Sequence, residues 1–170
     1  MKKRFLLTSF TIWLPHHNSN ASDDLLISCF KIDEPLYDLH FLRLLPVDIE
    51  LASGQVIEKI NSLQPDVIIC CGMAEKRHQL TVESNASDKE TVLHTTVDLE
   101  NLVADSQKIE ISHDCGKFVC EALYYSVLDF LKQKSAKIYC LFVHVPILTE
   151  ENHEVIFQDF RLILNRLALL

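Results

Sequence analysis

The chain offers a nucleophile of the kind that cysteine hydrolases use. Cys115 and Cys120 lie on either side of Gly116 in the stretch "HDCGKFVCEALYYSVLDFLK", residues 113–132, and an apolar helical pattern follows them. A thiol in the first turn of a helix is favoured as the thiolate, because the helix N-terminus carries a partial positive charge. We therefore single out Cys120 as the candidate nucleophile, while a metal site, a disulfide and ordinary packing remain alternatives for this pair.

A metal site is the weakest of these alternatives. No second close Cys or Cys-His pair completes a zinc ligand set with the two thiols. Cys70 and Cys71 are adjacent in a strand-like run, so their side chains should point to opposite faces of a sheet. The pair of His16 and His17 has no third ligand in view along the sequence. We therefore expect no metal ligands and no cofactor.

A base for the thiol is offered by His144. It lies near the end of "CLFVHVP", the strongest strand-like run, and parallel sheets usually expose their ligand-binding residues at that end. An imidazole there can take the thiol proton and later deliver it to a leaving amine. Glu83, which follows the strand-like "HQLTV", is the candidate carboxylate for orienting the ring. The residue types alone leave buried packing for Cys120 and an ordinary hydrogen bond for His144 open.

The elements that must position these side chains alternate between strand-like and helical patterns. Strands are predicted at residues 4–10, 38–46, 66–72, 78–84, 108–112 and 137–146. Helices are predicted at residues 21–31, 53–63, 98–105, 116–133 and 149–170, the third within a polar segment from Ser84 to Gln107. This alternation indicates an α/β fold. We predict a single domain over residues 1–170, a three-layer α/β/α arrangement around a mostly parallel, mixed sheet.

Composition excludes several classes of protein. The net charge of −8 argues against a nucleic-acid binder, because no basic surplus exists to displace counterions from phosphates. No stretch approaches the roughly 18 continuous apolar residues of a membrane span. The basic and apolar start of the chain resembles a signal peptide, but polar residues interrupt it and we interpret it as a first buried strand. We expect a cytoplasmic protein with six free cysteines, and the leucine-rich C-terminal helix favours a homo-oligomer.

Three short blocks resemble the catalytic blocks of the pyroglutamyl-peptidase I family of cysteine peptidases. They are "TVE" at 81–83, "GKFVCEALYY" at 116–125 and "FVHVPIL" at 142–148, against the family's approximate "ITVERVA", "AGTYVCNHVMY" and "FIHVPFLP". The stretch 45–77 is also similar to the family's "LPV…LKPDIVICVGQAGGR". The order of Glu, Cys and His along the chain is the family's.

This resemblance implies the family's fold and its activity on small peptides, the removal of an N-terminal pyroglutamyl residue through an acyl-enzyme. Cys120 would be the nucleophile, His144 the general base and acid, and Glu83 the orienting carboxylate. Two further residues, Phe10 and Trp13, fall where the family places ring-stacking phenylalanines that clamp a flat lactam.

The resemblance also assigns the loop at 72–77 to the neighbourhood of the oxyanion. Its amides at Gly72, Met73 and Ala74 could stabilise a tetrahedral intermediate. Met73 stands where the family has a substrate-binding glutamine.

The departures from the family pattern lie in the recognition loops. The family's "GFEPFGG" becomes "SFTIWLP" at 9–15, and "GQAGGR" becomes "GMAEKR" at 72–77. Only residues 84–119 separate Glu83 from Cys120, where the family carries a longer insert with a "RIPDN" substrate loop. The chain therefore resembles a shortened, divergent member. Two alternatives to the peptidase follow: a triad hydrolase of a different small amide or thioester, and a non-catalytic binding or scaffold module.

Overall fold

A six-stranded sheet organises the computed structural model, which describes residues 2–106 and 108–170. Gln107, the end of the predicted polar segment, lies outside the described residues. The strands are β1 (Lys3–Phe10), β2 (Tyr37–Leu45), β3 (Val67–Met73), β4 (Leu80–Glu83), β5 (Asn85–Asp88), β6 (Thr91–His94), β7 (Ile109–Ser112) and β8 (Tyr139–Val145). The helices are α1 (Ala21–Ser28), α2 (Ile49–Leu63), α3 (Leu99–Val103), α4 (Val119–Gln133) and α5 (His153–Leu169), and a short 3₁₀ turn, Cys29–Lys31, follows α1.

The sheet has the order β2-β1-β3-β8-β4-β7 and is mostly parallel. Its single reversal lies between β8 and β4, which pair antiparallel, and β7 then pairs parallel to β4. Side chains of α1 and α5 pack against one face, and side chains of α2 and α4 pack against the other. This confirms the predicted three-layer arrangement around a mixed sheet. Within the described residues, no helix combines the length and apolar character that crossing a bilayer requires.

Alternation along the central strands decides which face each functional residue reaches. Phe142 belongs to the core beneath α2 and α4, whereas its neighbours in β8 belong to the core beneath α1 and α5. The same period of two separates Cys70 from Cys71 in β3, as the sequence predicted. His144, two residues after Phe142, is therefore directed to the α2–α4 face.

Three helices begin elsewhere than the sequence predicted, and the last of them, α5, starts at His153 rather than 149. The second helix starts at Ile49 rather than 53, because the Asp48 side chain accepts a hydrogen bond from the amide of Leu51 and caps it. Helix α4 starts at Val119 rather than 116, because Gly116 adopts a φ of 92° that a right-handed helix does not contain.

A hairpin of β5 and β6 lies within the polar segment that ends at Gln107, where the sequence predicts one short helix and no strand. Its strands have four residues each, and the turn places Lys89 at a φ of 54°, a conformation for which the sequence offers no glycine. The hairpin is tied to α4 because Glu121 accepts hydrogen bonds from the amide and the hydroxyl of Ser87, at 3.1 and 2.5 Å. The hairpin therefore covers part of α4.

Candidate active site

A buried imidazole–carboxylate pair lies between β8 and β4. Nδ1 of His144 donates a hydrogen bond to Oε1 of Glu83 at 2.6 Å. Glu83 is completely buried and His144 is 5% exposed. Because Nδ1 is engaged with the carboxylate, Nε2 is the ring nitrogen left to exchange protons at the cavity. A general base and its orienting carboxylate, the roles that the sequence predicts for His144 and Glu83, would be hydrogen-bonded in this way.

The carboxylate of Glu83 also has a cationic partner that the sequence analysis missed. Nη1 of Arg77 lies 3.0 Å from Oε1 of Glu83. Nη2 of the same guanidinium donates to the hydroxyl of Ser112 at 3.3 Å and to the carbonyl of Asp114 at 3.1 Å. A buried carboxylate needs compensating charge, so the two cations in the loop after β3, Lys76 and Arg77, were the available signal.

Cys120 is the second residue of α4, and its sulfur lies against the end of β3. A Cβ added at Gly72 would come within 2.7 Å of Sγ. Gly72 is the register partner of His144 in the adjacent strand. The thiol therefore lies over the sheet beside the strand that carries the imidazole. Of the six cysteines, Cys120 is the one that remains partly exposed.

The protonation of Cys120 differs from the expectation for a helix N-terminus. The pKa of this thiol is raised to about 12, mainly by burial and to a smaller extent by the nearby Cys70 and Glu83. A hydrogen bond from the thiol's own backbone amide lowers the pKa, but this effect is the smallest. Desolvation therefore outweighs the helix end, and the thiol keeps its proton at neutral pH until a base removes it.

Cys115 is a second thiol close to the same pair. Its sulfur, a carboxylate oxygen of Glu83 and a ring nitrogen of His144 all lie within 4.8 Å of one another. It is 3% exposed, and burial raises its pKa far above the ordinary value. Both Cys115 and Cys120 are free thiols, so the disulfide alternative is wrong for the structure described.

A cavity of about 670 Å³ brings the predicted residues together. Cys120, His144, Phe10, Trp13 and Met73 all line it. Phe10 is almost fully buried, while Trp13 is 47% exposed at the rim.

The ring of Trp13 packs against another exposed aromatic residue, Phe118, with 5.8 Å between centroids. Phe118 was not singled out from the sequence. The available signal was its position directly before α4, between Cys115 and Cys120, where attention went to the two cysteines.

The loop predicted to bind an oxyanion is only partly free to do so. The amide of Ala74 donates to the carbonyl of Val145 at 2.9 Å and is therefore engaged within the sheet. Alternate amides of a parallel strand face the same neighbour, which turns the amide of Gly72 towards β8 as well. The amide of Met73 then faces away from β8, while its Sδ accepts a hydrogen bond from the amide of Ala21 at 3.4 Å.

Three comparisons place this chain among known proteins. A family model described as pyroglutamyl peptidase matches residues 88–158, a range that contains Cys120 and His144. The pyrrolidone-carboxylate peptidase of Brachyspira hyodysenteriae is 24% identical over 67% of this chain and 70% of its own length. That of Brevibacillus brevis is 25% identical over 71% of this chain and 68% of its own.

A solved structure shares the fold along the whole chain. The crystal structure of pyroglutamyl peptidase I from Bacillus amyloliquefaciens superposes with a TM-score of 0.88 at 20% sequence identity, covering 100% of this chain and 97% of that one. A thiol and an imidazole at one cavity are the groups that cysteine-type peptidases use. These matches confirm the resemblance to pyroglutamyl peptidases that the sequence predicted.

Proposed function

We propose that this protein is a cysteine exopeptidase that removes an N-terminal pyroglutamyl residue from small peptides. The observation that carries the proposal is the 2.6 Å hydrogen bond between His144 and Glu83 beside a cavity that Cys120 also lines. The pyrrolidone-carboxylate peptidases that the chain resembles support the choice of substrate.

In the proposed reaction, Nε2 of His144 takes the proton of Cys120 as Sγ attacks the carbonyl carbon of the pyroglutamyl residue. The resulting tetrahedral intermediate collapses when the imidazolium gives its proton to the leaving amine. The shortened peptide departs and leaves a thioester on Cys120. Water, deprotonated by His144, then hydrolyses the thioester, which releases pyroglutamate and restores the thiol. Glu83 holds the ring and stabilises its charged form throughout.

Backbone amides at the start of α4 are the proposed donors to the oxyanion. Phe118, the N-cap residue, provides no side-chain hydrogen bond, so no cap competes for the first-turn amides. The amide of Cys120 itself lies next to the reacting carbon once the thioester bond forms. The amide of Met73 faces away from β8 and is the second donor that we assign.

The lining of the cavity suits a flat, uncharged ring. Phe10 offers a buried aromatic surface, and Trp13 an exposed one that packs on Phe118. A neutral lactam can stack on such surfaces without losing the hydration of a charge. This is why we prefer a pyroglutamyl group to a charged N-terminal residue.

A different small amide or thioester is the second candidate substrate. One observation favours it: of the described residues between Glu83 and Asp114, none lines the cavity. The β5–β6 hairpin packs on α4 instead of contributing a recognition loop. A substrate that needs fewer contacts than a pyroglutamyl peptide would fit the same catalytic residues.

A pyroglutamyl amide that releases a chromogenic amine tests the proposal. The wild type should hydrolyse it, Cys120→Ala should not, and a prolyl amide, which lacks the lactam carbonyl, should be a poor substrate. Hydrolysis of other small amides or thioesters alone would establish the second candidate. A wild type that matches Cys120→Ala on every substrate would leave the binding or scaffold module as the function.

We infer a reducing compartment, the cytoplasm, from the six free thiols. A homo-oligomer stays a prediction of the C-terminal leucines, and light scattering on a sizing column would measure it. The assignment of residues 1–170 to one domain also stays a prediction, which a single unfolding transition would support.

A further inference from the structure

Two histidines and a glutamate meet at the rim of the active-site cavity. A turn after β1, closed by the amide of His17 donating to the carbonyl of Leu14 at 3.1 Å, brings the rings of His16 and His17 to 4.1 Å between centroids. Glu75 reaches them from the loop after β3. Nε2 of His16 lies 3.1 Å, and Nε2 of His17 3.5 Å, from the same carboxylate oxygen, Oε1.

His17 is the member that hydrogen bonding within the protein does not explain. Its side chain is only 7% exposed. Both of its ring nitrogens are buried without a hydrogen-bond partner among the described residues. Buried polar atoms are nearly always paired, so a ring with two unpaired nitrogens, one of them directed at a carboxylate, points to a ligand.

The distances agree with the geometry of a bound metal ion. Zinc bound by imidazole nitrogen and carboxylate oxygen at 2.0–2.2 Å in a tetrahedron holds its ligand atoms about 3.4 Å apart. The two measured nitrogen–oxygen distances, 3.1 and 3.5 Å, lie on either side of that value. One ligand atom from each of the three residues lies within 4.8 Å of the others.

The types of ligand also suit a cation. Two neutral imidazoles and one carboxylate form a ligand set that zinc accepts in proteins.

We propose that His16, His17 and Glu75 bind one Zn²⁺ ion at the rim of the cavity. Because the side chains of His16 and Glu75 are 59% and 45% exposed, a solvent molecule takes the fourth position. The sequence analysis expected no metal here, since it found no third ligand for the two histidines. The third ligand comes from a different loop, which only the fold brings near.

The ion would connect the loop after β1 with the loop after β3, and both loops line the cavity. Trp13 lies in the first loop and Lys76 in the second, and both line the cavity together with Glu75. Binding would therefore fix the position of Trp13 relative to the end of β3. The inference does not depend on the chemistry at Cys120, because it concerns only the binding of an ion.

Trp13 is the only tryptophan of the chain and makes the binding directly observable. Protein freed of metal with a chelator should show a saturable change of tryptophan emission on titration with Zn²⁺, with one ion bound per chain by calorimetry. Affinity should fall at least tenfold in His16→Ala and in Glu75→Gln, the latter keeping the size of the side chain. The exposed His94, in the β5–β6 hairpin, provides the matched control His94→Ala, which should bind as the wild type does.

Thiols are the competing ligands, and a second experiment separates them. The titration is repeated with Co²⁺ in the wild type and in a Cys115→Ser/Cys120→Ser double variant. The proposal expects unchanged binding in the double variant and no intense thiolate-to-cobalt band in the ultraviolet. A thiolate band, equal affinities for wild type and Glu75→Gln, or the lack of any saturable binding would each overturn it.

Discussion

The sulfur of Cys120 occupies the place where a side chain on Gly72 would stand. A Cβ at that glycine would lie 2.7 Å from Sγ and 2.9 Å from the Cζ atom of Phe142. Neither neighbour is the flexible end of a long side chain. At Gly72 the site therefore needs a glycine for the space that the thiol fills and not for a turn.

Replacing Gly72 with alanine should therefore displace the thiol. We expect kcat/KM to fall about 100-fold, since a displacement of the order of 1 Å is enough for such a loss. Overpacking should also cost about 1–3 kcal/mol in the free energy of unfolding, measured with urea. Gly54→Ala in α2, where an added Cβ meets nothing within 4 Å, is the control and should keep full activity. Equal activity of the two variants would contradict this account of the site.

The two thiols of the cavity should differ sharply in their importance. Cys120→Ser should reduce kcat roughly 10⁴-fold, as expected for loss of a catalytic nucleophile. Cys115→Ser should stay within about tenfold of the wild type, because Cys115 lies beside the ion pair of Glu83 and not at the start of α4. Rates on the pyroglutamyl amide measure both. The reverse ranking would move the nucleophile to Cys115.

Arg77 should support the site through Glu83. Arg77→Met removes the guanidinium 3.0 Å from the buried carboxylate and should cost about 1.5–3 kcal/mol in unfolding free energy. A lower kcat should accompany the loss, because the carboxylate that orients His144 is no longer anchored. Arg77→Lys, which keeps a charge but not the two-sided contact, should recover part of both quantities. If Arg77→Met left kcat and stability unchanged, the guanidinium would have no role in the site.

Alkylation of Cys120 should depend steeply on pH. Its pKa is raised to about 12, so the reactive thiolate is scarce at pH 7 and increases about tenfold for each pH unit up to pH 10. Iodoacetamide labelling in the free protein, followed by mass spectrometry, should show that increase. Cys29, which is buried and whose pKa is also raised to about 12, is the internal control and should react more slowly at every pH. Rapid labelling of Cys120 that is independent of pH between 6 and 8 would instead indicate a preformed thiolate–imidazolium pair.

Much of this arrangement could be predicted from the sequence because it rests on local patterns. The continuous apolar run of β8 fixed the strand, and with it the position of His144 near its end. The amphipathic pattern of α4 placed Cys120 at a helix start. Short matches to a family then connected both residues with Glu83, which no local pattern could have done.

The residues that were missed lie in loops whose partners come from elsewhere in the chain. Arg77 lies near Glu83 because β4 runs antiparallel to β8, which the sequence does not reveal. Phe118 packs against Trp13, a residue more than 100 positions away in the sequence. The pKa of Cys120 was misjudged for the same reason, since burial depends on packing that a helix start does not reveal.

The direction of β4 decides how deep the acid of the site lies. Thr81 is the register partner of His144, so Glu83, two residues further along an antiparallel strand, lies next to Phe142. In a parallel strand the last residue would emerge at the same edge of the sheet as the imidazole. Because β4 is reversed, the carboxylate of Glu83 lies two residues deeper along the sheet than the imidazole of His144. Water therefore reaches the thiol of Cys120 more easily than it reaches this carboxylate. In a peptidase built this way, the orienting carboxylate of Glu83 would stay shielded from water through the whole catalytic cycle, while the substrate enters and leaves through the cavity that Cys120 lines.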